Sequence, residues 1–121
     1  MRRAIPGSRF RTGGAAGYRG GLRLTRMDVE GSRVEDAVEG YGDTAVPWLA
    51  ETAGFCGALL LVDWNSGHSI SETIWDSPKT LAASRSVAAR VRVERVRSTR
   101  CVIRALEEYD LVFNTARIGG V

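Results

Sequence analysis

Apolar and polar positions alternate along three segments of this chain, a fourth segment is continuously apolar, and two others follow a helical period. The first four segments predict strands and the helically spaced ones predict helices, at residues 22–27 (strand), 34–52 (helix), 56–63 and 68–75 (strands), about 77–96 (helix) and 104–113 (strand). The order is therefore βαββαβ. It predicts an α+β, ferredoxin-like sandwich in which two helices cover one face of a four-stranded antiparallel sheet.

Local signals predict where the two helices begin. Ser32 and Glu35 have the spacing of a capping box, in which each side chain bonds the other residue's backbone N–H. Ser77 followed by Pro78 is a second helix start, since serine caps the free N–H groups and proline suits the first helical position. Pro47 has no N–H to donate, so it is expected to kink the first helix.

The second predicted strand is apolar on both of its alternations, although a sheet covered on one face needs only one apolar alternation. One alternation holds Phe55, Leu59 and Leu61, and the other holds Ala58, Leu60 and Val62. Two helices cover one face of the sheet, so the other face needs a second chain. The pattern therefore predicts a homodimer that closes sheet against sheet.

The positive charge is concentrated near the start of the chain. The net charge is +3, but residues 1–20 hold five of the 17 basic residues and no acid, so the remaining 12 basic and 14 acidic residues give −2. Residues 1–21 also contain six glycines and few large apolar side chains, too few to offset the entropy of ordering. We expect a disordered basic tail over residues 1–21, one domain over residues 22–115 and a short tail over residues 116–121.

A second basic block covers residues 77–104, with eight basic residues and one acid, Glu94. One interpretation is a nucleic-acid surface formed by these arginines and the basic tail. The other is a solvated basic helix beside an acidic one, and it is favoured because no aromatic residue is interleaved for base stacking. Nucleic acid is therefore not the expected partner.

Composition excludes several further classes. No apolar run approaches the roughly 18 residues that span a bilayer, and Arg2-Arg3 is not followed by the apolar region of a secretory signal. A cytoplasmic protein without a membrane partner is expected. Cys56, Cys101 and the one histidine, His68, are too few for a zinc or histidine-rich site. We expect neither a metal nor a cofactor.

Four stretches are similar to a known group of proteins. They are residues 54–63 (GFCGALLLVD), the turn ending in Gly67, residues 71–77 (SETIWDS) and residues 106–110 (LEEYD). Over about residues 22–113 the chain resembles the antibiotic-biosynthesis-monooxygenase-like group of the dimeric α/β-barrel superfamily. The resemblance implies a homodimer, and relatives of this kind include cofactor-free oxygenases of aromatic polyketides and haem-degrading enzymes.

The haem-degrading branch of that group does not fit this chain. That branch needs an asparagine on the first strand, a tryptophan in the second helix and a histidine that holds the iron. No asparagine occurs in residues 22–28, and the other two positions fall on Ser84 and Glu94. The resemblance therefore does not extend to haem degradation.

Two functions follow from the remaining features. The resemblance implies a cofactor-independent oxygenase that acts on an aromatic small molecule. The alternative is a non-catalytic dimeric module with a ligand-binding or structural role, because no nucleophile–base–acid set or phosphate-binding loop is visible. Since a fold does not determine a reaction, whether the protein is an enzyme stays open and no catalytic residue is assigned.

Five residues are candidates for ligand contacts: Ser71, Thr73, Trp75, Tyr41 and Trp48. Ser71, Thr73 and Trp75 share one alternation of the third strand, so their hydroxyls and indole either orient a small molecule or lie in the dimer interface. Trp75 is alternatively a core residue at the corner between strand and helix. Tyr41 and Trp48 are seven residues apart on one helix face, and are either core aromatics or a lid over the ligand.

Glu72 lies on the other alternation of the third strand, between two isoleucines. A buried glutamate there could act as a base. The favoured interpretation is an ion pair with Arg23 or Arg26 on the first strand, which is expected to be its neighbour. His68 follows the hairpin turn and is expected to be exposed.

Overall fold

The computed structural model describes residues 20–112, which form one antiparallel sheet with helices on one of its faces. The strands lie in the order β2-β3-β1-β4 and are β1 (Gly20–Asp28), β2 (Phe55–Val62), β3 (His68–Trp75) and β4 (Val102–Leu111). The predicted βαββαβ order and the ferredoxin-like architecture are confirmed.

The described range differs slightly from the predicted domain. β1 begins at Gly20, two residues before the predicted domain start. The rest of the predicted basic tail, residue 113 at the predicted end of the last strand, and the predicted C-terminal tail lie outside the described residues. Those three expectations therefore stay predictions.

Helical structure follows β1 and β3. The first helical region consists of a 3-10 turn at Gly31–Arg33, helix α1 (Val34–Gly40), a π-helical turn at Tyr41–Ala45 and helix α2 (Val46–Ala50). The second consists of α3 (Pro78–Ala83) and α4 (Arg85–Thr99). None of the helices within residues 20–112 is long and apolar enough to cross a membrane.

The π-helical turn is the form that the predicted kink at Pro47 takes. Pro47 cannot donate a backbone hydrogen bond, and in a regular α-helix its ring would clash with the carbonyl four residues earlier. The backbone widens ahead of the proline, and the N–H of Val46 bonds the carbonyl of Tyr41, five residues earlier. Such widened turns are frequent at functional sites, and this one places Tyr41 over the sheet.

The two predicted helix starts have different outcomes. Ser77 caps α3 as predicted: its hydroxyl accepts from the N–H of Thr80 at 3.1 Å, and the hydroxyl of Thr80 accepts from the N–H of Ser77 at 3.2 Å. The predicted capping box at Ser32 and Glu35 is wrong. The chain enters α1 through the 3-10 turn, and the Ser32 hydroxyl donates to the carboxylate of Glu30 instead.

The strand register determines which side chains face the helices. Directly opposed residues of neighbouring strands lie on the same face of a sheet. The face toward the helices carries polar side chains from the two central strands, namely Arg23, Thr25, Ser69, Ser71 and Thr73, together with Trp75. The open face carries mostly aliphatic side chains, namely Leu22, Leu24, Leu59, Leu61, Ile70 and Ile74.

A bulge in β2 corrects one prediction about its faces. Phe55 was placed on the same alternation as Leu59 and Leu61, but the register shifts between Phe55 and Gly57. The extra residue moves Phe55 to the helix side, because a bulge reverses the alternation beyond it. There its ring meets the edge of Trp75, with centroids 5.5 Å apart.

Two apolar clusters hold the helices on the sheet. The larger one consists of Ala45, Leu49, Trp75, Leu81 and Val91. The smaller one consists of Val29, Val34 and Cys101. Both clusters lie on the helix side of the sheet, which leaves the open face without a core of its own among the described residues.

We expect Ser77→Ala to lower the free energy of unfolding by about 1 kcal/mol, because it removes the cap of α3. Ser86→Ala is the matched control, since Ser86 is exposed within α4 and alanine is the better helix former there. Urea denaturation measures both. Equal effects of the two substitutions would contradict the capping role of Ser77.

Candidate functional site

A cavity lies between the helix-facing side of the sheet and the helices. The cavity has a volume of about 70 Å³, which is room for several water molecules, since one water needs about 10–15 Å³. Its apolar walls come mainly from the helices, including Val34, Val38, Leu49, Ala88 and Val91. Its sheet side carries the polar side chains of β1 and β3. The site is therefore an apolar chamber with polar groups on one wall.

A pair of hydroxyls forms the centre of the polar wall. The phenol oxygen of Tyr41 lies 2.8 Å from the hydroxyl of Ser71 and 3.4 Å from the carbonyl oxygen of Leu59. Tyr41 reaches this position from the π-helical turn, and Ser71 from the middle of β3. The neighbouring hydroxyl of Thr73 accepts a hydrogen bond from the indole N–H of Trp75 at 3.0 Å.

The phenol of Tyr41 is a hydrogen-bond donor rather than a base. Burial raises the pKa of Tyr41, its hydrogen bond with Ser71 lowers that pKa in part, and the charge of Glu72 raises it further. A raised pKa keeps the phenol protonated well above neutral pH. Tyr41 can therefore donate to an oxygen atom of a ligand or share its proton with Ser71.

Arg23 brings a buried positive charge to the same wall. Only 3% of the residue is exposed. Its guanidinium donates to the carboxylate of Glu108 at 2.9 and 3.2 Å, to the hydroxyl of Ser84 at 3.0 Å and to the carbonyl of Leu81 at 3.0 Å. It therefore connects β1 to β4 and to the break between α3 and α4.

Glu108 is shared between two arginines. Its carboxylate accepts from Arg23 and also from Arg85, at 2.6 Å at the shortest contact. The hydrogen bonds from Arg85 and Arg23 hold the pKa of Glu108 below its usual value, although partial desolvation opposes them. The carboxylate therefore stays ionised and keeps Arg23 in place beside the cavity.

Two more arginines, Arg92 and Arg95 of α4, border the cavity. Arg95 donates to the carbonyl of Ala37 at 3.0 Å, which ties α4 to α1. Arg92 has no hydrogen-bond or ion-pair partner within residues 20–112. Among the described residues the cavity lining holds three arginines and no aspartate, glutamate or histidine, so it favours a ligand that carries or develops negative charge.

Three of the five predicted ligand residues line the cavity, and the other two do not. Tyr41, Ser71 and Thr73 line the cavity and lie close together. Trp75 is completely buried behind them in the larger core cluster, where it touches the site through its bond to Thr73. Trp48 is 44% exposed on α2, outside the lining. The ligand roles of all five stay predictions.

Sequence reasoning missed the arginines of the cavity. It assigned the basic block of α4 to a solvated face, although Arg92 directly follows the buried Val91 in the helix. Arg23 shares an alternation with Thr25, and the residues opposite them on β3 carry hydroxyls. Polar residues facing each other on two adjacent central strands were the available signal for a polar wall that includes Arg23.

The ion pair predicted for Glu72 is wrong. Arg23 and Arg26 pair with Glu108 and Glu107 of β4 instead, and the residues opposite Glu72 on its open face are both leucines. β1 has β4 as its other neighbour, where Glu108 is directly opposite Arg23 and Glu107 is opposite Leu24, two residues from Arg26. His68 is exposed as predicted, and its Nδ1 lies 2.8 Å from Asp28.

Curated relatives match part of the chain. No protein-family model matches it. The uncharacterised proteins Rv2557 and Rv2558 of Mycobacterium tuberculosis strain H37Rv are 29% identical over 76 residues and 28% identical over 98 residues. These matches cover 63% and 80% of this chain but 34% and 42% of the relatives. The chain thus spans less than half the length of these relatives.

Solved structures share the fold. A monooxygenase from the ActVA-Orf6 gene of Streptomyces coelicolor, in complex with nanaomycin D, has a TM-score of 0.56 at 17% identity over 84% of this chain and 94% of that one. SnoaB, a cofactor-independent oxygenase from Streptomyces nogalater, has a TM-score of 0.50 at 17% identity, over 84% and 97%. A dimeric ferredoxin-like protein from an uncultured marine organism has a TM-score of 0.54 at 11% identity, over 84% and 94%.

These neighbours confirm the predicted resemblance at the level of the fold. The chain has the ferredoxin-like fold of the monooxygenase-like and dimeric proteins that it was predicted to resemble. At these identities the likeness carries the architecture, and the reaction has to be argued from the cavity itself.

Replacing Arg23 by methionine is expected to lower the free energy of unfolding by about 2–4 kcal/mol, because a cation with four hydrogen bonds is lost from a buried position. Arg104→Met is the control: Arg104 pairs with Asp28 at the surface, where an ion pair contributes little. Urea denaturation compares the two. A similar small loss for both would show that the Arg23 contacts do not hold the fold.

Proposed function

We propose that the cavity binds an enolisable aromatic small molecule and promotes its oxygenation by O2 without a cofactor. The observation that carries the proposal is the Tyr41–Ser71 hydroxyl pair, which shares the lining of the cavity with Arg23 and Arg92. The fold supports it, since neighbours with this fold are described as a monooxygenase and as a cofactor-independent oxygenase.

The reaction needs no external reductant. An aromatic methylene compound such as an anthrone reacts as R2CH2 + O2 → R2C=O + H2O. Two C–H bonds break, a carbon–oxygen double bond forms, and the second oxygen atom leaves as water. The carbon loses four electrons and O2 gains four. The substrate itself is therefore the reductant, and its electrons become available when it loses a proton.

The lining residues suit that deprotonation. Negative charge develops on the ring oxygen of the substrate as the methylene carbon loses its proton, and preorganised donors in a water-poor site stabilise such charge strongly. Tyr41 and Ser71 can donate to this oxygen, while the guanidinium groups of Arg23 and Arg92 attract the charge. The described lining has no carboxylate or histidine, so we assign the role of proton acceptor to a solvent water molecule that enters with the substrate.

Oxygen uptake with dithranol (1,8-dihydroxyanthrone) as probe tests the proposal. We expect the protein to accelerate formation of 1,8-dihydroxyanthraquinone above the rate of spontaneous oxidation. One O2 should be consumed for each quinone formed. Binding of the probe without acceleration would instead support the non-catalytic ligand-binding module. The absence of both binding and acceleration would refute the proposal.

Tyr41→Phe and Ser71→Ala are each expected to lower the protein-dependent rate at least about tenfold, because each removes a donor to the developing oxyanion. Ser86→Ala is the control, since Ser86 is exposed on α4, outside the cavity lining. Steady-state quinone formation measures all three. Unchanged rates in both cavity variants would show that another part of the protein is responsible.

We further propose that the protein is a homodimer that buries the open face of the sheet. This face carries aliphatic side chains from three strands, and Leu61 on it is 48% exposed in the single chain. At roughly 25 cal/mol per Å² of apolar surface, covering such a face contributes several kcal/mol. A neighbour with this fold is described as dimeric, which also supports the proposal.

Leu59→Asp is expected to split the dimer, because residue 59 lies on the open face opposite Glu72 and would add a second carboxylate there. Leu60→Asp places a charge in the cavity lining and is expected to unfold the chain. Val93→Asp, at an exposed position of α4, is the control. Sedimentation at micromolar concentration measures the assembly, and a folded wild-type monomer would overturn the proposal.

A further inference from the structure

A second recess lies outside the cavity, between α4 and β4. Its lining consists of Arg23, Arg85, Ala89, Arg92, Leu106 and Glu108. Three arginines and one glutamate give this recess a net positive charge. The recess is open to solvent, whereas the cavity lies between the sheet and the helices.

Arg23 and Arg92 border both spaces. A ligand that extends from the cavity into the recess would therefore pass these two side chains. Four of the five N–H donors of Arg23 are already engaged, by Glu108, Ser84 and the carbonyl of Leu81. Arg92 has no such partner within residues 20–112. Of the two arginines, Arg92 is the one with a full set of donors for a ligand.

The surroundings of Arg92 make an unpaired cation unfavourable. Partial burial lowers the pKa of Arg92, and so does the nearby charge of Arg23, while Glu108 raises it in part. Glu108 does not neutralise Arg92, since its two carboxylate oxygens are already engaged by Arg85 and Arg23. Arginine keeps its charge in proteins, so a ligand anion that replaces solvent beside Arg92 would gain a charge-assisted hydrogen bond.

We infer that Arg92 binds the carboxylate of an aromatic acid whose ring system occupies the cavity, and that the recess between α4 and β4 is the route by which this ligand enters. The inference rests on the proposed function, because it assigns the substrate of the same cavity to the class of aromatic carboxylates. The planar guanidinium of Arg92 matches a carboxylate with two parallel hydrogen bonds.

The test compares 1-hydroxy-2-naphthoate with its methyl ester by isothermal titration calorimetry at pH 7 and low salt. The two probes have the same ring system, but only the first carries a charge. We expect wild-type protein to bind the acid at least about tenfold more tightly than the ester. Only the acid can form a charge-assisted hydrogen bond with Arg92, and such a bond contributes an affinity gain of this size.

Arg92→Gln is expected to remove this preference and to leave the affinity for the ester unchanged. Arg92→Lys should keep part of the preference, because the charge remains and the bidentate geometry is lost. Arg90→Gln is the matched control, since Arg90 is exposed on the same helix and borders neither space. It should bind both probes like the wild type.

The outcomes separate this inference from the proposed function. Equal binding of acid and ester by the wild type overturns the role of Arg92 and leaves the aromatic site standing. A loss of affinity for both probes in Arg92→Gln and Arg92→Lys also overturns it, because the side chain would then only support the cavity wall. Binding of neither probe overturns the inference about Arg92, and the oxidation of dithranol then decides the proposed function by itself. A tenfold preference without oxygenation of dithranol retains the aromatic acid site and removes the oxygenase.

Discussion

The buried guanidinium of Arg23 is the interaction on which the geometry of the site depends. A charge placed at the centre of a sheet needs partners for all of its donors, since an unpaired buried cation is strongly unfavourable. Here β4 supplies Glu108, and the break between α3 and α4 supplies Ser84 and the carbonyl of Leu81. The register of the edge strand, the helix break and one wall of the cavity are therefore tied to a single side chain.

The sheet divides its tasks between its two faces. The face toward the helices carries hydroxyls and an arginine, which leave polar groups at the edge of an apolar core and so create a site for a ligand. The open face carries leucines and isoleucines, which suit a second sheet. In the sequence this division is visible as an alternation of hydroxyl and aliphatic residues along β3. The structure shows which of the two alternations meets the helices.

Features that depend on neighbours in the chain were predictable, and features that depend on distant pairing were not. The cap at Ser77 and the turn at Gly67, where φ is +79°, follow from a few adjacent residues. The bulge that moves Phe55 across β2 has one local signal, Gly57 at the register shift, and that signal was not recognised in the sequence. The pair of Arg23 with Glu108 joins residues 85 apart, and the sequence offered Glu72 as an equally reasonable partner. The hydroxyl wall of the cavity was predictable as a set, but Arg92 and Arg95 lie in a helix whose composition is typical of a solvated surface, and Arg23 lies on β1.

A crystal structure of the protein with 1,8-dihydroxyanthraquinone tests the central claim most directly, namely that the space between the sheet and the helices is the ligand site. We expect the rings inside that cavity, with a ligand oxygen within hydrogen-bond distance of Tyr41 or Ser71. The small volume of the empty cavity further predicts that its wall at the π-helical turn moves outward when the rings are bound. A ligand bound on the open face of the sheet or on the outer surface of the helices, with the cavity unchanged, would contradict the account.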